Sequence, residues 1–123
     1  MTTVTVRYFV HDLEGSVAFY RDLLDFEVEL VPSPMFAMLY RGDLRLLLSV
    51  PEGGILQPPG WNRFALEFPD VEASVADLRS RGASFDGEIV TGVGVKRAVL
   101  LDPDGNPVEL FEPMAAYHER AST

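Results

Sequence analysis

Asp12-Leu13-Glu14-Gly15-Ser16-Val17-Ala18 returns along the chain as Asp70-Val71-Glu72-Ala73-Ser74-Val75-Ala76, five of seven residues identical at an offset of 58. Arg21 and Arg79 keep the same offset, and a β-rich run ends just before each aspartate. Self-similarity at a fixed period marks one supersecondary unit used more than once. Here the unit is roughly half the chain, so the sequence predicts a tandem of two small α+β modules, with any site expected between the copies.

Working outward, residues 3–10 alternate as a strand, and Asp12 is placed to cap a helix running to Leu24. Val17, Phe19, Tyr20, Leu23 and Leu24 form its apolar stripe. Three short strands are predicted near 27–31, 35–40 and 44–50, with Arg41-Gly42-Asp43 as a hairpin turn. Residues 51–60 contain six Pro or Gly in ten and read as a linker. The second copy is expected to start at Asn62, with a strand to Phe68, a helix capped by Asp70 and stopped by Gly82, and strands near 84–90, 94–101 and 106–112. Each half therefore reads βαβββ. Residues 1–123 form one expected domain, with modules at 4–51 and 62–113, a linker at 52–61 and a tail at 114–123.

At 123 residues the two modules must share a surface, because units of about 50–60 residues are marginal alone. No apolar run approaches the roughly 20 residues that span a bilayer. No basic-then-apolar leader is visible, so a cytoplasmic location is expected. The absence of cysteine excludes disulfides, thiolate metal sites and cysteine nucleophiles. A net charge of −9 argues against nucleic-acid partners and favours cationic ligands.

Strand parity assigns faces, because alternate side chains point to opposite sides of a sheet. One parity holds Val4, Val6, Tyr8, Val10, Leu46, Leu48, Val50, Phe64, Leu66, Phe68, Val108 and Leu110, a nearly pure apolar set expected to pack under the helices. The other holds Thr5, Arg7, Phe9, Arg45, Leu47, Ser49, Arg63, Ala65, Glu67, Glu109 and Phe111. That mixed, charged and aromatic face is either solvent-exposed or the lining of a polar cavity.

Asp102-Pro103-Asp104-Gly105-Asn106-Pro107-Val108-Glu109-Leu110-Phe111-Glu112-Pro113, with Val10-His11-Asp12 leading into Phe19-Tyr20, resembles the glyoxalase/bleomycin-resistance/dioxygenase superfamily, also called vicinal oxygen chelate proteins. Read without the resemblance, Asp102 to Asn106 is a turn set by Pro and Gly, whose own backbone the aspartates bond. The resemblance implies an α+β fold of tandem βαβββ modules, whose eight strands form an incomplete barrel around a ligand cup. In many members the modules pair across a homodimer. Metal-using members take ligands from the first strand of each module, usually His or Gln, and from the last, usually Glu. Those slots fall here on Thr5, Leu47, Arg63 and Glu109. Three of the four cannot serve a divalent ion, and a guanidinium would repel it. The two histidines, His11 and His118, lie off these rows, so neither a metal nor any other cofactor is expected.

In place of a metal, Arg63 and Glu109 are expected to form a charge-assisted pair beside the Thr5 hydroxyl, leaving Arg7, Arg45 and Glu67 open to a ligand. Phe9, Phe111 and Trp61 add apolar contact. The expected ligand-binding set is Thr5, Arg7, Phe9, Arg45, Leu47, Trp61, Arg63, Glu67, Glu109 and Phe111. Two functions remain open. One is a metal-independent protein that sequesters a drug or secondary metabolite, as resistance members of the resembling superfamily do, working as a cytoplasmic homodimer. The other is a metal-free isomerase or lyase with Glu109 or Glu67 as general base and an arginine stabilising the oxyanion.

Overall fold

In the computed structural model, which describes residues 4–51, 63–92 and 95–113, both repeated aspartates open a helix. Asp12 caps α1 (Leu13–Leu24), its carboxylate accepting from the Gly15 N–H at 3.2 Å. Asp70 caps α2 (Val71–Ser80) and accepts from the Ala73 N–H at 3.0 Å. Such a cap satisfies one of the N–H groups that the first turn of a helix leaves unpaired. Glu112 adds a second cap to α2, accepting from the Val71 N–H at 3.0 Å. Both helices stop at left-handed backbone, Asp25 at φ 59° after α1 and Gly82 at φ 90° after α2. Past Asp25 the Phe26 N–H returns to the Tyr20 carbonyl at 3.1 Å, and the buried Phe26 ring meets Tyr20 edge-on with centroids 5.6 Å apart.

The strands are β1 (Val4–Phe9), β2 (Glu27–Ser33), β3 (Phe36–Arg41), β4 (Leu44–Ser49), β5 (Phe64–Glu67), β6 (Ser84–Phe85), β7 (Val90–Thr91), β8 (Val95–Leu101) and β9 (Pro107–Pro113). Two compact units separate among the described residues. Unit 1 holds 4–51 and 103–106, and unit 2 holds 63–92, 95–102 and 107–113. The unit 1 sheet has the order β1-β4-β3-β2, with β1 parallel to β4 and the other pairs antiparallel. Unit 2 repeats it as β5-β9-β8-β6, with β5 parallel to β9 and β7 also on β8. The fold is α+β, a tandem of βαβββ modules, each with a mixed sheet and one helix.

The expected apolar parity is the core of each unit. In unit 1, Tyr8, Val10, Leu39, Leu46 and Leu48 are buried together with Leu13, Val17, Tyr20 and Leu24 of α1. In unit 2, Phe64, Leu66, Leu100, Val108 and Leu110 are buried together with Val71, Val75 and Leu78 of α2. Phe19 and Leu23 are half-buried, and Ser16 takes a buried place on the α1 face instead.

Two expectations need correction. Val4 is 63% exposed rather than core, because it lies at the end of β1 beside the hairpin turn, its N–H donating to the Asp43 carbonyl at 3.0 Å. The single strand predicted over 84–90 is two short pieces, β6 and β7. The pairing passes from Phe85–Leu100 to Val90–Arg97, so this edge holds two more residues than β8 opposite it, and Gly87 at φ 79° lies in that excess. The first copy slips in the same way, from Val28–Leu39 to Ser33–Phe36. Bulges of this kind twist an edge strand and disrupt its ladder. Asp104 and Asn106 also bond the β1–α1 junction, a role that the turn reading did not include. Asp104 accepts from the His11 N–H at 3.2 Å and also holds His11 Nδ1, while the Asn106 amide donates to the Phe9 carbonyl at 3.1 Å. The linker at 52–61, the tail at 114–123, Trp61 and His118 lie outside the described residues.

Asp12→Ala and Asp70→Ala should each lower stability in urea denaturation by about 1 kcal/mol, the usual worth of an N-cap. Asp70→Ala should cost less, because Glu112 still caps α2.

Candidate functional site

Parity and register place the charged residues in rows. In unit 2 the parallel pairing sets Ala65 beside Glu109 and Glu67 beside Phe111, while β8 sets Val99 beside Glu109 and Arg97 beside Phe111. Arg63, just before β5, reaches Glu109 with Nη1 3.5 Å from Oε1. Glu109 is 21% exposed and Arg63 48%, so the pair stands at the solvent boundary. Phe111 thus carries a carboxylate, Glu67, on one flank and a guanidinium, Arg97, on the other. Among the described residues, Glu67 forms no ion pair.

On the sheet of unit 1, Thr5 lies beside Arg45, Arg7 beside Leu47 and Phe9 beside Ser49. Arg45 is not left unpaired as expected. Its guanidinium grips Glu29 with two bonds, Nε to Oε1 at 3.0 Å and Nη2 to Oε2 at 3.3 Å. Arg7 also takes part in an interaction. Next to Arg45, the Tyr40 hydroxyl donates to Glu27, which holds the tyrosine's ionisation above its ordinary range. Met38 extends the Arg7–Leu47 row and Phe36 the Phe9–Ser49 row.

The expected set therefore falls on two faces. Thr5, Arg7, Phe9, Arg45 and Leu47 share the unit 1 sheet, and Arg63, Glu67, Glu109 and Phe111 share the unit 2 sheet. Sequence reading missed Arg97, although its parity opposite the buried Ala98 and Leu100 carries the signal. It also missed Glu29, which no alternation could reveal because β2 slips register beside it. A separate groove of about 650 Å³ lies in unit 1 on the helix side, lined by His11, Glu14 and Met35 among others, away from the charged face.

At Thr5, Leu47, Arg63 and Glu109, the four slots that the resemblance assigns, the donors do not suit a divalent metal. Thr5 and Leu47 offer at most one weak ligand, while the Arg63 guanidinium occupies the Glu109 carboxylate. Among the described residues, no three His, Asp or Glu side chains are grouped to hold an ion. No described helix is long and apolar enough to cross a membrane.

The family model of the Glyoxalase/Bleomycin resistance protein/Dioxygenase superfamily matches residues 3–110. None of the curated proteins matches the sequence. Solved structures do. An antibiotic-binding protein, TnmS3, from Streptomyces sp. CB03234 is similar at 27% identity and a TM-score of 0.73, over 92% of this chain and 96% of that one. Lactoylglutathione lyase from Agrobacterium tumefaciens shares the fold at 21% identity and a TM-score of 0.73, over 90% and 92%. A superfamily member from Sphaerobacter thermophilus DSM 20745 does so at 24% identity and a TM-score of 0.74, over 91% and 97%. The chain belongs to the glyoxalase/bleomycin resistance protein/dioxygenase superfamily.

Because the Arg63–Glu109 pair is half-exposed, Arg63→Ala should cost at most about 1 kcal/mol in thermal or urea unfolding, not the several expected of a buried pair. Metal analysis of protein purified without chelator should give far below stoichiometric zinc, nickel, iron or manganese. A stoichiometric metal lost in Glu109→Gln would overturn the donor argument.

Proposed function

We propose that this superfamily member is a metal-independent binder that sequesters a small organic molecule on the charged sheet face of unit 2. The observation that carries the reading is the row Glu67–Phe111–Arg97 beside the Arg63–Glu109 pair. An aromatic surface flanked by an acceptor and a donor suits a flat, polar-edged molecule, with the ring giving contact area and the charged groups giving orientation. The similarity to an antibiotic-binding protein at 27% identity supports a drug or secondary metabolite as ligand. Thr5, Arg7, Phe9 and Leu47 on the unit 1 face and Trp61 are further candidate contacts. The charge of −9 disfavours nucleic acid as a partner, and a chain without cysteine suits the cytoplasm.

A second reading rests on Glu67, a carboxylate without an ion pair among the described residues and one aromatic ring away from Arg97. In it Glu67 or Glu109 removes a proton from a bound metabolite, and Arg63 or Arg97 stabilises the oxyanion that forms. A homodimer belongs to the proposal as well. Val28 and Leu30 of the edge strand β2 are exposed, apolar positions that a second copy would cover.

A thermal-shift panel of drugs and metabolites should find ligands that raise the melting temperature, since a ligand binding only the folded state stabilises it. Glu109→Gln should weaken such a ligand about tenfold, the worth of a hydrogen bond to a charged group, while stability stays near that of the parent. A ligand recovered unchanged after incubation supports sequestration, and one converted supports the enzyme reading. If Glu109→Gln, Glu67→Gln and Arg97→Gln all bind as the parent does, the face is not the site. Light scattering at micromolar concentration should give the mass of two chains.

A further inference from the structure

The two copies differ where their helices begin. In unit 2, Lys96 of β8 faces Glu112 of β9, and its ammonium binds Glu72 in the first turn of α2 at 2.7 Å. That bond holds the lysine above its ordinary pKa. Aligning the sheets by register puts Met35 in the place of Lys96 and Val50 in that of Glu112, the Val50 N–H donating to the Met35 carbonyl at 2.9 Å. Glu14 keeps the place of Glu72 at the repeat offset. Unit 1 has thus retained the carboxylate and lost the cation that answers it. Among the described residues, Glu14 forms no ion pair, and the nearby Arg21 is committed to Asp22 at 2.8 Å.

The vacated place is the groove of about 650 Å³, lined by Glu14, Met35, Val50, Val17, Val31 and His11 among others. His11 has no counterpart in the second copy, where Pro69 stands. Its Nδ1 is held by Asp104, whose side chain is 10% exposed, while the His11 side chain is 72% exposed. In the neutral ring a proton on Nδ1 toward Asp104 leaves Nε2 as a hydrogen-bond acceptor.

We propose that this groove is a binding site for an organic ammonium, whose charged head takes the place that the Lys96 ammonium holds in unit 2. The head pairs with Glu14 and donates to His11 Nε2, and the apolar body lies on Val17, Val31, Met35 and Val50. Charge complementarity selects the occupant, since the groove offers the carboxylates of Asp12 and Glu14 and its one guanidinium is already paired. The groove belongs to unit 1 and the sheet face proposed above to unit 2, and the two proposals stand independently.

Phenethylamine, an aromatic primary ammonium, can be titrated into the isotope-labelled full chain, with hydrocinnamate as an anionic control of similar bulk. The expected result is amide shifts at residues 11–18 and at Met35 with the amine and none there with the acid. Glu14→Gln should weaken the amine about three- to fivefold, as loss of a partly exposed ion pair does. Met35→Lys should compete it away, because the chain then fills the place with its own ammonium as unit 2 does. The proposal is overturned if hydrocinnamate binds equally well, if both variants bind the amine as the parent does, or if the amine leaves residues 11–18 unmoved. Shifts confined to 63–67 and 107–111 would assign the amine to the sheet face and count against this site.

Discussion

In each copy the first strand lies parallel to the last, and most of what the chain can do follows from that pairing. A parallel pair cannot be joined by a tight turn, and here the chain leaves after the first strand, forms a helix and returns at the far edge of the same sheet. The helix then covers one face, and the apolar parity of β1, β4, β5 and β9 turns toward it. The opposite face is left to the polar parity, and the register of that pairing puts Glu109 within reach of Arg63 and sets Phe111 beside Glu67. Core and candidate site are thus two consequences of one hydrogen-bonded ladder.

The motif that carries the family resemblance has a physical task that its sequence does not announce. Asp104 and Asn106 bond the backbone of His11 and Phe9, the point at which β1 gives way to α1. A buried or half-buried N–H or carbonyl at such a junction has no ladder partner and must be answered by a side chain or by water. The turn of Pro103 and Gly105, the latter at φ 82°, presents those side chains to the junction.

The repeat also shows which positions the fold needs and which it leaves open to change. The capping aspartates, the buried Ala37 and Ala98, and the buried Leu39 and Leu100 recur because each helix start and each central strand poses the same packing problem. Around them the copies diverge. Glu112 and Lys96 give way to Val50 and Met35, which leaves Glu14 at the entrance of α1 without the lysine that answers Glu72 in α2. The edge strands of both copies slip register by similar amounts, so the irregularity itself belongs to the design of the module.

The sequence by itself determined the repeat, the helix caps, the succession of elements along the chain and the two sheet faces, because capping and alternation are local and depend on a residue's own neighbours along the chain. It also anticipated the Arg63–Glu109 pair, because the superfamily resemblance sets those two positions on converging ligand slots. Only the tertiary structure decided how that charge is shared. Arg45 turns to Glu29 across two strands, Arg97 flanks Phe111, and Asp104 reaches His11 across 93 residues of chain. Those partners depend on strand order, on register slips at an edge and on where a distant turn comes to rest. Periodicity carries none of that information, because a slip of one residue reverses every side chain beyond it.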